Sequence, residues 1–543
     1  MAHVELGGSR RRIAQGARRV RDIDPHAHVE VTLVMKAAKL PEPDATSKAP
    51  ITPTELAEKY GAKEDDIRKI EQSLRAYGLT VEGVSPSRRT MRVSGTAAAI
   101  ESAFKADLGI YLSPDHAEFR GREGTVSVPS EIEGLVTGVL GLDQRRTARR
   151  RSAAAQALGS RPLGPPDLEA HYRFPEGDGG GQKIAIAEFG SPLSNGSFLP
   201  PAYFPEDVAS FCKKYQRPTP HIVTVPINIT PLTLSQLRTL PQNAASEVLD
   251  ETAEVMMDVE IVASLCSAAA ISVYYASWDQ KGWVDLLERV TSEQPVVLSI
   301  SYGLAEDSPD WTDAARAAIN DALHAATLVG ITTCVSSGDD GSGCDMPDSR
   351  LHVEFPGSSP YVLSVGGTMF QGGAEVVWWE SPGRRTTKGG GATGGGVSAL
   401  FARPAWQTAK VPSLNGGRFD GRVVPDVAAL SGDPLYDLVM LGRSAPNGGT
   451  SAAAPLWASL IARMNAKLPP AKQGRFVAPL LYKSTAGVGT VGAGGCTDIT
   501  HGDNESRPQP AKGYSAGPGY DAVSGWGVPN GKALLSLLNE NIA

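Results

Sequence analysis

A serine set between small residues and a buried helix is the part of this sequence best suited to covalent chemistry. The stretch reads Gly448-Gly449-Thr450-Ser451-Ala452-Ala453-Ala454-Pro455, then Leu456-Trp457-Ala458-Ser459-Leu460-Ile461-Ala462-Arg463-Met464. Two glycines let the backbone turn tightly and approach a substrate. Apolar residues at helical spacing follow, and Pro455 reads as lying in the first turn, where a missing N–H is tolerated. Ser451 then stands at a helix N-terminus, where the dipole favours developing negative charge. Taken alone, such a serine is equally an N-cap. A serine nucleophile needs a base. Of nine histidines only His501 is followed by glycine, and it lies after the serine. What stands upstream is acidic: Asp250-Glu251-Thr252-Ala253-Glu254-Val255-Met256-Met257-Asp258-Val259-Glu260-Ile261-Val262-Ala263-Ser264-Leu265. Helical periodicity places Glu254 and Asp258 on one face. That face is either a solvated acidic stripe or a pair of acids held together for chemistry.

Serine motif and acid helix together resemble the sedolisin family of serine-carboxyl peptidases, most closely its kumamolisins. The string G-T-S-x-x-x-P matches the nucleophile segment of subtilisin-fold serine peptidases, but the His-Gly-Thr context of subtilisins is absent. The resemblance covers nearly the whole chain. It implies Ser451 as nucleophile, Glu254 as general base, Asp258 as the acid that orients it, and Asp339 in Ser337-Gly338-Asp339 as the oxyanion-hole acid. It also implies Glu188 in an outer acid network. Tyr302 stands where the nearest family members carry a Trp, which leaves that outer network open. An ionised Asp339 would repel an oxyanion, so it can help only when protonated, and this ties the chemistry to acid.

The elements that must position these groups are those of an α/β fold. Short apolar strands such as 183–187, 270–275, 296–300 and 328–335 alternate with helices such as 311–326, which argues for a parallel sheet covered on both faces. The expectation is a subtilisin-like parallel-sheet catalytic domain over 166–543, with function gathered at the carboxyl ends of the strands. Ahead of it, residues 28–143 read as a β-α-β-β-α-β, ferredoxin-like activation propeptide, with Leu108–Leu112 as its last strand. Residues 1–27 are Arg-rich and read as a disordered basic tail. Residues 144–165, with Arg145-Arg146, Arg149-Arg150-Arg151 and the prolines Pro162 and Pro165, read as a maturation linker cut between Arg151 and Ser160.

Charge is divided unevenly. Residues 1–160 hold 25 Lys+Arg against 21 Asp+Glu, and the remainder 27 against 38. So acidic a main domain argues against nucleic acid as a partner. No apolar run of membrane-spanning length is present. Five scattered cysteines suit neither a disulfide scaffold nor a zinc site, and Cys266 and Cys334, in apolar runs, read as buried thiols. No ordinary signal peptide is visible, and an extracellular location follows from the resemblance alone.

The remaining site expectations are of two kinds. Ser301-Tyr302-Gly303 matches an edge that pairs with extended substrate. Glu354 aligns with a pocket acid of kumamolisin-like members, and is otherwise a surface glutamate. The glycine-rich stretch 384–396 reads as a surface loop lining the site. At the C-terminal end, two hard carboxylates among glycines suit Ca²⁺; the family's site maps onto Asp498 and Asp521 and the carbonyls of Ile499, Gly517 and Gly519. The reading is an acid-acting, secreted, self-processing, monomeric endopeptidase. Its partners are protein or peptide substrates and its own propeptide as inhibitor, with no membrane or nucleic acid. The competing reading is a catalytically silent peptide-binding or inhibitory protein of the same fold.

Overall fold

The computed structural model describes residues 2–542 except 14–15, 44–48, 114–115, 148, 151–152, 155–159 and 193–197. The first unit is built on a four-stranded antiparallel sheet in the spatial order Thr80–Val84, Thr90–Thr96, His28–Met35, Val136–Leu140. Helices Glu64–Arg75 and Ala97–Phe104 bury Ile67, Ile70, Leu74, Ile100 and Phe104 in its core. This is the ferredoxin-like order, with one correction. Its fourth strand is Val136–Leu140; Leu108–Ser113 instead joins a separate sheet with Arg18–Asp22 and His116–Arg122. Both segments are apolar enough to serve, and only partner geometry separates them.

The described residues of the tail are ordered. His3–Glu5 pairs with Ser127–Pro129, Arg18–Asp22 pairs with residues 109–112, and Leu6 and Ser9 are buried. Its arginines find partners far along the chain: Arg11 reaches the buried Asp143 at 3.1 Å and Arg19 reaches Asp107 at 2.8 Å. A segment that lacks apolar residues can thus be ordered by paired charge.

The described parts of the linker are equally held. Thr147 donates through both its N–H and its hydroxyl to the Trp278 carbonyl at 2.8 Å. Strand Arg149–Arg150 pairs antiparallel with Tyr302–Gly303, and Ala153–Ala154 pairs with Asn447–Gly448. Linker composition predicts disorder because it buries little; the catalytic domain supplies sheet edges that satisfy its backbone.

The second unit is a parallel sheet in the order 221–226, 270–277, 183–192, 297–300, 332–336, 363–371, with Val427–Leu430 also parallel to the last of these and 374–377 antiparallel at that edge. Its central strands are buried on both faces, as helices cover both sides, while the edge strand 221–226 is largely exposed. Two helices position the chemistry. Gln242–Leu265 carries the acids, and Thr450–Lys467 starts at the serine. They lie against each other, with the Cys266 thiol donating to the Ser459 carbonyl. All five cysteines are free thiols; Cys266 and Cys334 are fully buried.

Candidate active site

Gly449 precedes the serine helix with φ of 95°, a left-handed conformation that only glycine adopts without strain. Pro455 is the sixth helical residue, not part of the first turn. This position has a consequence. Pro455 has no N–H to return to the carbonyl four residues earlier, which is that of Ser451. The Ser301 hydroxyl stands at 3.2 Å from that carbonyl, while its other neighbour is Asp258 Oδ2 at 2.6 Å. The Ser451 hydroxyl in turn donates to the Ser301 carbonyl at 3.4 Å. Ser301 has a single proton to donate. When Asp258 is protonated it can donate to Ser301, whose own proton then turns to the Ser451 backbone. The sequence points to Ser301 as backbone edge; its side chain also ties acid helix to serine helix.

Glu188, Glu254 and Asp258 are all fully buried. Burial pushes the Asp258 carboxyl well above the usual range, Glu188 and Glu254 push it further, and the Ser301 hydrogen bond opposes them. Burial likewise raises Glu188, opposed by the Tyr302 hydrogen bond and reinforced by Glu254 and Glu251. Tyr302 donates to Glu188 Oε2 at 2.8 Å, so a tyrosine reaches this buried acid. Glu188 itself sits within strand Lys183–Pro192, opposite Tyr275, rather than after it.

Across the serine lies the Gly338-Asp339 turn. Asp339 Oδ1 accepts from the Thr450 N–H at 2.9 Å and the Thr450 hydroxyl at 2.7 Å, which fastens this acid to the residue before the nucleophile. Glu354 is buried rather than exposed, and its carboxyl packs on Gly338, where a Cβ would fall 2.6 Å from Glu354 Cδ. The Arg385 guanidinium pairs with Asp340 at 2.6 Å and feels both Asp339 and Glu354. The glycine-rich stretch is a surface loop only in its first part, where 386–388 are exposed. Residues 391–398 are buried, Gly391–Ala392 is a strand paired with Trp379–Glu380, and the Gly394 N–H donates to the Gly338 carbonyl at 2.7 Å. Its glycines permit that approach: a Cβ on Gly394 would fall 2.0 Å from the Ser337 carbonyl oxygen.

The expected calcium residues gather in one loop cluster. Asp498 Oδ2 accepts from Gly519 N–H at 2.7 Å, Asp521 Oδ2 from Gly517 N–H at 3.1 Å, and the Ser524 hydroxyl bridges Asp521 Oδ1 at 3.0 Å to the Ile499 carbonyl at 3.5 Å. Burial raises the Asp521 carboxyl despite these hydrogen bonds. Two carboxylates beside backbone carbonyls, one of them starved of solvation, suit a hard cation. Among the described residues no group of three or more His, Cys, Asp or Glu is placed to hold a metal.

What surrounds Ser451 in place of an imidazole is a buried group of carboxyls, and with the parallel sheet behind it this is a serine peptidase of the subtilisin-like class. Comparison with known proteins narrows that class. Residues 15–145 match the pro-kumamolisin activation domain and residues 253–527 the subtilase family. The chain is 34% identical to kumamolisin of Bacillus sp. (strain MN-32), covering 96% of this chain and 90% of that protein. It is 28% identical to tripeptidyl-peptidase sed5 of Aspergillus fumigatus over 98% and 97% of the two chains. Pseudomonas sedolisin, a serine-carboxyl proteinase solved with pseudo-iodotyrostatin, shares the fold at a TM-score of 0.55 and 23% identity, over 71% of this chain and all of that one. The protein therefore belongs to the sedolisin family, as a kumamolisin-like precursor with an N-terminal activation domain.

Proposed function

We propose that this precursor is an acid-acting endopeptidase that matures itself, with its own linker as first substrate. The observation that carries the reading is the pairing of Arg149–Arg150 with Tyr302–Gly303 and of Ala153–Ala154 with Asn447–Gly448. Those two edges flank Ser451, so the chain enters the cleft on one side and leaves on the other. The bond cut lies in the interval between Arg150 and Ala153, with Arg151–Ser152 at its centre, and maturation occurs within one molecule.

In this reading Glu254 accepts the Ser451 proton as Ser451 attacks the peptide carbonyl. Asp258 orients Glu254, and Glu188 raises Asp258 toward its protonated form, while the Tyr302 hydroxyl holds Glu188 in place. Protonated Asp339 donates to the oxyanion. Glu254 then protonates the leaving amine, and water hydrolyses the acyl-enzyme. Glu354 shapes a side-chain pocket behind Gly338. Asp498 and Asp521, with the carbonyls of Ile499, Gly517 and Gly519, would hold one structural Ca²⁺, whose chemistry is to cross-link two loop segments and neutralise their charge. Acid dependence fits work outside the cytosol, and no helix among the described residues is long and apolar enough to cross a membrane.

Incubation of purified precursor at acid pH, followed by N-terminal sequencing, tests this. A new N-terminus at Ser152 is expected, with Ser451→Ala remaining full length. Maturation of Ser451→Ala without added protease would exclude self-processing. Activity should fade toward neutral pH, and less so in Asp339→Asn, whose amide donates at any pH.

A further inference from the structure

Beside the acid helix the linker places one side chain in a seat that backbone pairing does not require. The Arg146 guanidinium lies over the Trp278 ring, 3.3 Å from its centroid, and reaches Glu251 at 3.6 Å. Both partners belong to the catalytic domain, and both are at the site's border. Trp278 follows the strand 270–277 and meets Tyr302 edge to face at 6.0 Å. Glu251 is almost one helical turn before Glu254. Thr147, the next residue, is held by its two hydrogen bonds to the Trp278 carbonyl, so the chain is fixed where it presents Arg146. An aromatic face closed by a carboxylate at its edge is built for a cation, and for a planar guanidinium above an ammonium.

We infer that Trp278 and Glu251 form a distal subsite for a basic side chain six residues before the cut bond, filled by Arg146 in the precursor and by substrate arginine after maturation. The inference rests on the peptidase reading and on Arg151–Ser152 as the bond presented. Its physical motive is local. Glu251 stands close enough to Glu188 to raise it further, so a cation at Glu251 offsets part of that like-charge repulsion. When the propeptide and linker depart, that relief departs too, and a substrate carrying arginine at this distance restores it. A contact made equally in the ground state and the transition state appears in KM and not in kcat.

The test uses mature enzyme at about pH 5, within the acid range that the peptidase reading requires. Three decapeptides share one sequence and differ at the sixth residue before the cut, carrying arginine, its neutral isostere citrulline, or alanine. Product masses identify the bond cut. Arginine should exceed citrulline in kcat/KM by about tenfold, chiefly through KM. The same ratio measured within Glu251→Gln should fall to about threefold, the part left to the Trp278 face. Because each ratio is taken within one enzyme, a change in overall turnover does not affect it. Equal rates for arginine and citrulline in the wild type would overturn the subsite, as would an unchanged ratio in Glu251→Gln. Peptides left uncut, or cut so that arginine no longer lies six residues before the bond, would contradict the peptidase reading or its register instead, and the subsite with it.

Discussion

Two groups of buried carboxyls in this molecule behave in opposite ways. At the active site Glu188 and Asp258 are pushed well above the carboxylate range, first by burial and then by neighbouring acids. At the junction of the two units Asp143 is equally buried, yet Arg11, Arg145 and Arg122 outweigh burial and hold it far below. Arg145 and Arg11 also reach Asp310 of the catalytic unit, so this caged acid helps hold the precursor together. Burial alone therefore does not decide protonation; the nearest charges do. At Glu188 and Asp258 burial and neighbouring acids act in the same direction, whereas at Asp143 three arginines act against burial and win.

The largest test of that contrast is Glu254→Gln, which keeps volume and removes the base proposed above. Turnover should fall by about 10⁴-fold or more with the fold intact, as should that of Ser451→Ala. Wild-type turnover in Glu254→Gln would remove the functional half of the comparison. Asp143→Asn should be silent for chemistry but leave buried arginines uncompensated. The uncleaved Ser451→Ala precursor carrying it should lose about 3–5 kcal/mol in a urea titration. An unchanged midpoint would mean the cage holds nothing.

The two regions should also respond to pH with opposite sign. Raised acids keep protons in the folded state that the unfolded chain releases near pH 4, so stability from Glu188 and Asp258 falls as pH rises above about 4. The slope is at most about 1.4 kcal/mol per pH unit for each group. Asp143 is lowered, so its contribution is present above about pH 4 and is lost as pH falls toward its folded value. Thermal melting of the Ser451→Ala precursor between pH 4 and 7 should show the first slope, and Glu188→Gln should flatten it. Asp143→Asn should instead remove the loss below pH 4.

Calcium comes next in size. Chelation should lower the melting temperature of the mature enzyme by several degrees, and Asp521→Ala should abolish the difference between calcium and chelator. The same melting curve with and without chelator in the wild type would exclude an occupied site. Smallest of all, His221→Ala and His324→Gln should each change kcat by less than about twofold, because neither imidazole acts on Ser451. A large loss in either would restore a histidine base and end the comparison of carboxyl groups.

Much of the site is legible in the residue string because its parts are local. The serine, the glycine turn and the helix it caps lie within a few residues of one another, and Glu254 and Asp258 share a face by helical period alone. The parallel sheet is legible in apolar runs bounded by helices. Other features are long-range. Residues 108–112 and 136–140 both read as a closing strand, and only the sheet's register selects the second. The arginine tail lacks the apolar pattern of ordered chain, yet it orders because Asp143 and Asp107 lie opposite it. The glycine stretch reads as loop, but its missing side chains let it press on the Ser337–Asp339 turn.

The sequence by itself determined which groups could react: a serine at a helix start, acids one turn apart, and no imidazole in a recognisable setting. Those follow from spacing along one chain segment. Tertiary structure alone decided their protonation and company. It brought Glu188 and Tyr302 to the acid helix, set Ser301 between Asp258 and the Ser451 backbone, and laid Arg146 over Trp278. Electrostatic interaction depends on distance and solvent exclusion, and neither is written in the order of residues.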